Sequence, residues 1–238
     1  MPRQNKVTLY YHELSQPSRA VLTFLECAEL PYEAKTIEVV QNENRKPFFR
    51  LVNPNGSVPA IVDIRENGVP FPIYESGAII RYLCNRYLEE DNEFYPRNNP
   101  ALKAKIEEMM TFYHRRVRPG ARVFYYAMIA PFSGLQDKFD HDEDVKITHE
   151  ICQEVDDILA KNGGWLVEKG KFTIADILCL AEIITFTFGD VDIEGYEHIK
   201  QWMIEIFKRK GAKNSHAFFK KFVLDMKFKM PFDVEKVI

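Results

Sequence analysis

The chain has little cysteine, little net charge and no long apolar run. Cys27, Cys84, Cys152 and Cys179 are its only cysteines in 238 residues, and their spacing fits neither a C-x-x-C motif nor a metal site. Because a buried thiol behaves as a small hydrophobe, we expect reduced core residues. No stretch reaches the ~18 apolar residues of a membrane span, and no signal-peptide run follows residues 1–6. These absences predict a cytoplasmic protein without a membrane partner.

The charges of the chain are nearly balanced. With 32 basic and 35 acidic residues the formal net charge is −3, so the composition does not predict a nucleic-acid partner or binding to anionic lipid. No His or carboxylate pair has metal-ligand spacing, and no glycine-rich phosphate loop is present. A hydrophobic content of 46% is enough for a large core. We therefore expect a globular protein without a metal cofactor.

The hydrophobic periodicity changes near residue 88. Before it, strands and helices alternate, whereas after it the period is helical throughout. The polar, proline-bearing stretch between them is typical of a linker. The sequence thus predicts an α/β domain at 1–87, a linker at 88–100 and an all-helical domain at 101–238. The predicted strands are 7–11, 33–39, 60–64 and 69–73, with a hairpin turn at Asn67-Gly68, and the predicted helices are 17–28, 45–51, 76–87, 101–129, 143–161, 174–187, 197–210 and 215–229.

The first candidate site lies where the first strand passes into the first helix. Proline is favoured at the first helical position, so Pro17 marks the helix start and Ser15 and Gln16 stand beside it. Unpaired N–H groups at a helix start attract negative charge, and a serine hydroxyl there can donate a hydrogen bond to a thiolate. The alternative is that Ser15 only caps the helix.

Two later segments add groups that bind a peptide. Pro59 cannot donate to a sheet ladder, so it must precede a strand, and a cis Val58-Pro59 bond would leave the backbone of Val58 free to pair with an extended peptide. Glu75 and Ser76 end the fourth strand at the start of a helix. They offer a carboxylate for an ammonium group, and a hydroxyl with helix N–H groups for a carboxylate.

With these three motifs in this order and spacing, the chain resembles the glutathione S-transferases over essentially its whole length, and the S-Q-P-S-R-A form of the first motif is most similar to the theta class. The resemblance implies a thioredoxin-like N-terminal domain, an all-helical C-terminal domain and a homodimer. It also implies that the thiolate of glutathione, a co-substrate, attacks a small electrophile with no other cofactor. Ser15 resembles the catalytic hydroxyl. The implied glutathione-binding residues are Val58, Pro59, Glu75, Ser76, Gln16 and Asn44.

The chain departs from the theta pattern at two positions. Asn44 and Ser57 stand near places where some theta members carry histidine and lysine. The first strand also ends in Tyr10 and Tyr11, and other transferase classes use a tyrosine there, so the opening motif contains a rival to Ser15. Adjacent strand residues face opposite sides of a sheet, which means that at most one of the two tyrosines can face the cleft.

The predicted helix 101–129 carries the candidate second-substrate residues. The arginines at 115, 116 and 118 cannot share one face at about 100° per residue, so at least one should face the interdomain cleft. Arg118 resembles an arginine that theta members place beside the second substrate, and His114 lies one turn earlier on the same side. The alternatives are an arginine solvated near the Pro119-Gly120 kink and a structural histidine.

Two further functions stay open beside conjugation. The chain is also compatible with a non-catalytic transferase-fold module that binds a partner or ligand without turnover. A glutaredoxin-like or dehydroascorbate-reducing enzyme would need a cysteine where Ser15 or Ser18 stands, and neither position has one. Thr173 and Asp176 form a capping box, for which we expect a structural role.

Overall fold

The first part of the chain forms a four-stranded mixed sheet. The computed structural model describes residues 7–124, 140–189 and 191–225. The strands lie in the order β2-β1-β3-β4, with β1 parallel to β2 and antiparallel to β3, and β3 antiparallel to β4. Parallel β1 and β2 need a crossover, which the first helix supplies. The strands are β1 (Val7–Tyr11), β2 (Tyr32–Thr36), β3 (Ala60–Ile64) and β4 (Pro70–Tyr74).

Local sequence signals set the helices and the turn of this part. Three helices accompany the sheet, namely α1 (Gln16–Cys27), α2 (Pro47–Arg50) and α3 (Ser76–Tyr87). Pro17 stands in the first turn of α1, as expected from its missing N–H. Gly68 takes a φ of +75° in the β3–β4 turn, a left-handed conformation that glycine adopts without strain. The hairpin predicted from Asn67-Gly68 is therefore confirmed.

In the second part, the described ranges contain helices joined by turns and loops, and no strand. Its helices are α4 (Pro100–Phe112), α5 (His141–Lys161), α6 (Ile174–Ile183), α7 (Glu197–Phe207) and α8 (Lys210–Asp225). The α/β plus all-α class is confirmed, and the sheet order is that of a thioredoxin-like domain. None of the helices in the described ranges has both the length and the apolar character needed to cross a bilayer.

The helix predicted at 101–129 is wrong as one continuous element. It ends at Phe112, continues as a π-helical turn over Tyr113–Val117 and then as a 3₁₀ turn over Arg118–Ala121. Pro119 lacks an N–H group and its ring disfavours a regular α-helix, which accounts for the change near it. Residues 125–129 and 226–229 of two predicted helices lie outside the described residues.

One hydrophobic core joins the two parts. Helix α1 packs against both α6 and α8, and one large cluster contains buried side chains of the sheet and of both helical regions. A second, small cluster is formed by Ile37, Phe49 and Ala60. At the end of α1 the approach is close, because a Cβ on Gly211 would lie 2.4 Å from the backbone nitrogen of Cys27. Cys84, Cys152 and Cys179 are buried as expected, and Cys27 is half-buried. Burial raises the pKa of the Cys27 thiol to about 11 and that of Cys152 to about 12.

Asp176 links three elements of the helical part. Its buried carboxylate accepts hydrogen bonds from the N–H and the hydroxyl of Thr173, both at 2.9 Å, from the N–H of Leu166 at 3.2 Å and from Nε1 of Trp202 at 2.9 Å. Burial raises the pKa of Asp176, and these hydrogen bonds oppose the rise. The capping box has the structural role expected of it.

Replacing Asp176 by alanine should lower the free energy of unfolding by about 3 kcal/mol or more, because the buried donors of Thr173, Leu166 and Trp202 lose their acceptor. Urea denaturation followed by tryptophan fluorescence measures this. Asp157→Ala, at an exposed carboxylate of α5, is the matched control and should change the stability by less than about 0.5 kcal/mol. Equal effects of the two substitutions would contradict the structural role.

Candidate active site

A cleft of about 260 Å³ lies between the sheet domain and the helical part. It is lined by four of the expected glutathione-binding residues and by both expected second-substrate residues. The structure therefore brings together expected site residues up to 60 positions apart, from Val58 to Arg118. Pro17, Ser57 and Tyr113 complete the lining. The six expected residues are Val58, Pro59, Glu75, Ser76, His114 and Arg118.

The Val58-Pro59 wall of the cleft rests on two asparagines. The peptide bond between Val58 and Pro59 is cis, the form that the family resemblance implies. Nδ2 of Asn53 donates to the carbonyl of Ser57 at 2.6 Å. Nδ2 of Asn44 donates to the carbonyl of Gly56 at 2.7 Å, and the Asn44 side chain is buried away from the lining residues. In this structure Asn44 therefore holds the loop that carries the wall.

Glu75 stands in a strained backbone conformation at the start of α3. Its φ is +72°, a region that residues other than glycine seldom occupy and that clusters at functional sites. The next residue, Ser76, is the first of α3 and is buried, whereas the Glu75 side chain is exposed to the cleft. A Cβ on Gly77 would lie 3.4 Å from Nε2 of His114, so the helical part approaches the N-terminus of α3 closely here.

Ser15 occupies the N-cap of α1. Its hydroxyl oxygen accepts a hydrogen bond from the N–H of Ser18 at 3.4 Å, and its own N–H donates to the carbonyl of His12 at 3.0 Å. Capping uses a lone pair of the hydroxyl, so the hydroxyl proton stays available for another acceptor. Ser15 is outside the residues that line the cleft, whereas Pro17 of the same turn is among them. Gln16 is buried and also outside the lining.

The two rival tyrosines face opposite sides of the sheet, as the strand alternation predicts. The ring of Tyr10 packs against Phe49 in a small cluster, and Tyr11 packs against the main core. The Tyr11 hydroxyl donates to the carboxylate of Glu13 at 3.2 Å, and burial raises its pKa. Neither tyrosine is among the lining residues.

A buried arginine, Arg19, and a buried glutamate, Glu182, lie behind the cleft, and no sequence motif predicted their contacts. The guanidinium of Arg19 donates to the carbonyls of Glu13 at 3.2 Å, Leu14 at 3.0 Å and Ala181 at 2.9 Å. Glu182 accepts from the hydroxyl of Tyr113 and from Nη1 of Arg118. The apolar pattern around residues 174–183 gave no signal beyond the carboxylate itself, since a single acidic residue in a helix is usually solvated.

His114 is the titratable group at the centre of the cleft's helical side. Burial lowers its pKa, and the carboxylate of Glu75 opposes this while Arg81 and Arg118 add to it. The lowered pKa of His114 favours the neutral imidazole near neutral pH, and this form both accepts and donates hydrogen bonds. Within the described ranges, no three His, Cys, Asp or Glu side chains form a group able to hold a metal ion.

Comparison with known proteins agrees with this geometry. Residues 15–86 match the family model described as glutathione S-transferase, N-terminal domain. Glutathione S-transferase T2 of Arabidopsis thaliana is 29% identical over 216 residues, which are 83% of this chain and 34% of that protein. Mouse glutathione S-transferase theta-2 is 26% identical over 209 residues, covering 86% of this chain and 82% of its own. The chain thus spans about a third of the Arabidopsis protein but most of the mouse one.

The fold is shared with solved transferases. Human glutathione transferase theta-2, solved in complex with glutathione, superposes with a TM-score of 0.80 at 21% identity and covers 94% of this chain and 93% of its own. The thioredoxin-like sheet followed by a helical second part is the fold that this chain shares with that structure. Residues 15–86 match the N-terminal domain of the glutathione S-transferase family, and over most of its length the chain is similar to theta-class members.

Replacing Glu75 by glutamine should lower the pKa of His114 further, because the carboxylate is the group that raises it. An NMR titration of the histidine ring protons measures the change. Glu66→Gln removes an exposed carboxylate at the β3–β4 turn and is the matched control. An unchanged His114 pKa in Glu75→Gln would show that the two side chains do not face each other in solution.

Proposed function

We propose that this chain binds glutathione in the cleft and transfers its thiolate to a small electrophile. The observation that carries the proposal is the meeting of Val58, Glu75 and Ser76 on one wall, opposite Arg118 and beside the first turn of α1. The similarity to enzymes named glutathione S-transferases, and the fold shared with a theta-2 structure that contains glutathione, support the same conclusion.

The wall offers complementary groups for the ammonium and the carboxylate at the γ-glutamyl end of a peptide. The exposed carboxylate of Glu75 attracts the ammonium group, and the hydroxyl of Ser76 with the N–H groups of α3 attracts the adjacent carboxylate. The backbone of Val58 pairs with the extended peptide. Asn44 acts in this proposal through the loop that it holds, and Gln16 as the buried first residue of α1, since both lie outside the lining.

Activation of the thiol falls to Ser15. A free thiol has a pKa of about 8.5, so each unit of lowering raises the thiolate fraction near neutral pH several-fold and corresponds to about 1.4 kcal/mol. A hydrogen bond to a charged group contributes about 1.5 to 3 kcal/mol, which is enough for one or two units. The Ser15 hydroxyl keeps its proton for this bond, whereas the Tyr11 proton is already directed to Glu13.

The non-catalytic alternative makes a different prediction from the same cleft. A binding module retains glutathione without turnover, or does not bind it at all. Binding to immobilised glutathione, followed by assays with aryl halides, alkyl halides and isothiocyanates, separates the two functions. Redox chemistry is disfavoured because the described cysteines are buried or half-buried, with the pKa of each thiol raised by burial. The homodimer that the family resemblance implies belongs to the same proposal.

Ser15→Ala should lower kcat/KM for conjugation by about ten- to a thousandfold, or about 1.4 to 4 kcal/mol of transition-state stabilisation. Its affinity for glutathione should stay nearly unchanged, because the hydroxyl acts on the thiolate. Steady-state kinetics and calorimetry measure the two quantities. Tyr10→Phe and Tyr11→Phe are the matched hydroxyl deletions, and each should change kcat/KM by less than about threefold. Activity that is lost with either tyrosine but kept in Ser15→Ala would move the assignment to the tyrosine classes.

Glu75→Ala should weaken glutathione binding by at least about tenfold, because the ammonium group of the ligand loses its charged partner. Isothermal calorimetry gives the Kd directly. Glu66→Ala is the matched control, because it removes one negative charge at an exposed carboxylate that is paired with Arg86. This variant should leave the Kd unchanged. An unaltered Kd in Glu75→Ala would place the γ-glutamyl end elsewhere.

A further inference from the structure

Glu182 is a fully buried carboxylate in the apolar helix α6, with 0% of its side chain exposed. Burying a carboxylate is unfavourable unless it is paired and hydrogen-bonded. Both of its oxygens are engaged. Oε1 accepts from the hydroxyl of Tyr113 at 3.0 Å, and Nη1 of Arg118 donates to Oε1 and Oε2 at 3.0 and 3.1 Å.

The two donors to Glu182 are cleft residues. Arg118 and Tyr113 both line the cleft, and the side chain of Arg118 is 41% exposed. Nη1 of Arg118 is the nitrogen bound to Glu182, and among the described residues Nε and Nη2 have no hydrogen-bond partner. The guanidinium is therefore held on one side by a buried anion and has N–H donors left for a molecule in the cleft.

The neighbouring cation Arg19 does not account for Glu182. Arg19 and Glu182 attract each other electrostatically, but the described hydrogen bonds of Arg19 go to the carbonyls of Glu13, Leu14 and Ala181. The hydrogen bonds of Glu182 go instead to the two side chains of the cleft. Arg116, two residues before Arg118, differs from it. Its guanidinium is paired with Glu154 on the surface, and it is not among the lining residues of the cleft.

We propose that Glu182 is a positioning residue, which fixes Arg118 so that the free N–H donors of its guanidinium face the electrophile in the cleft. The inference rests on the proposed conjugation activity. An arginine side chain has many rotamers, and a buried partner that holds one nitrogen limits them before the substrate arrives. Tyr113 contributes by fixing the carboxylate, and burial keeps its hydroxyl protonated by raising its pKa.

A double-mutant cycle tests the coupling between Glu182 and Arg118. Arg118→Ala should lower kcat/KM for the electrophile by about tenfold, and Glu182→Gln by about five- to tenfold. If Glu182 acts through Arg118, Glu182→Gln should have less than about a twofold further effect in the Arg118→Ala background. The losses should appear in the KM for the electrophile or in kcat, while the Kd for glutathione stays within about twofold.

Three further variants separate positioning from stability. Glu182→Asp keeps the charge and should recover part of the loss. Arg116→Ala removes a surface arginine two residues before Arg118 and should leave kcat/KM unchanged. Should Glu182→Gln fail to fold, Tyr113→Phe is used in its place. Its kcat/KM should fall about two- to threefold, the effect of one weakened contact, and this loss should vanish in the Arg118→Ala background.

The outcomes distinguish this inference from the function on which it rests. A folded wild-type protein that conjugates none of the aryl halides, alkyl halides or isothiocyanates overturns the proposed function and this inference with it. An active wild type whose Glu182→Gln variant is equally active overturns this inference alone. The same holds if the loss in Glu182→Gln persists in full without Arg118, because Glu182 then acts by another route.

Discussion

The buried guanidinium of Arg19 is the interaction on which the relation of the two parts depends. The Arg19 side chain belongs to α1 of the sheet domain and donates a hydrogen bond to the carbonyl of Ala181 in α6. Its guanidinium lies 4.1 Å from the ring centre of Phe219 in α8. Burial acts against its charge and lowers its pKa, so its hydrogen bonds must compensate. The same group holds the loop before Ser15 through two carbonyls. The position of the turn that carries Ser15 and the packing of the helical part therefore share one anchor.

The cleft forms because two helix N-termini meet the first helix of the second part. Pro17 at the start of α1, and Glu75 and Ser76 at the start of α3, line the cleft together with Arg118 of the helical part. An anion-attracting wall and a fixed cation then surround one small volume. In the proposed reaction these charged and polar groups are brought together by folding, before a peptide thiolate enters.

Local chemistry made several features of the fold readable from the sequence. The hairpin at Gly68, the start of α1 at Pro17, the cis bond before Pro59 and the capping box at Asp176 each depend on residues within a few positions of one another. A missing N–H, a left-handed glycine or a reciprocal cap has the same effect in any fold. These motifs, in their order, were also sufficient to indicate the family and the wall formed by Val58, Glu75 and Ser76.

The amino-acid sequence by itself determined the α/β plus helical organisation, the turns and caps, and which residue types could form the wall of the cleft. Only the tertiary structure decided that Glu182 would hold Arg118, that Asn44 would support a loop instead of lining the cleft, and that the helix would change at Tyr113. The physical reason is that these contacts join residues far apart in the sequence. Glu182 and Arg118 are 64 residues apart, and a buried carboxylate acquires a role only when folding removes water and leaves one partner within reach.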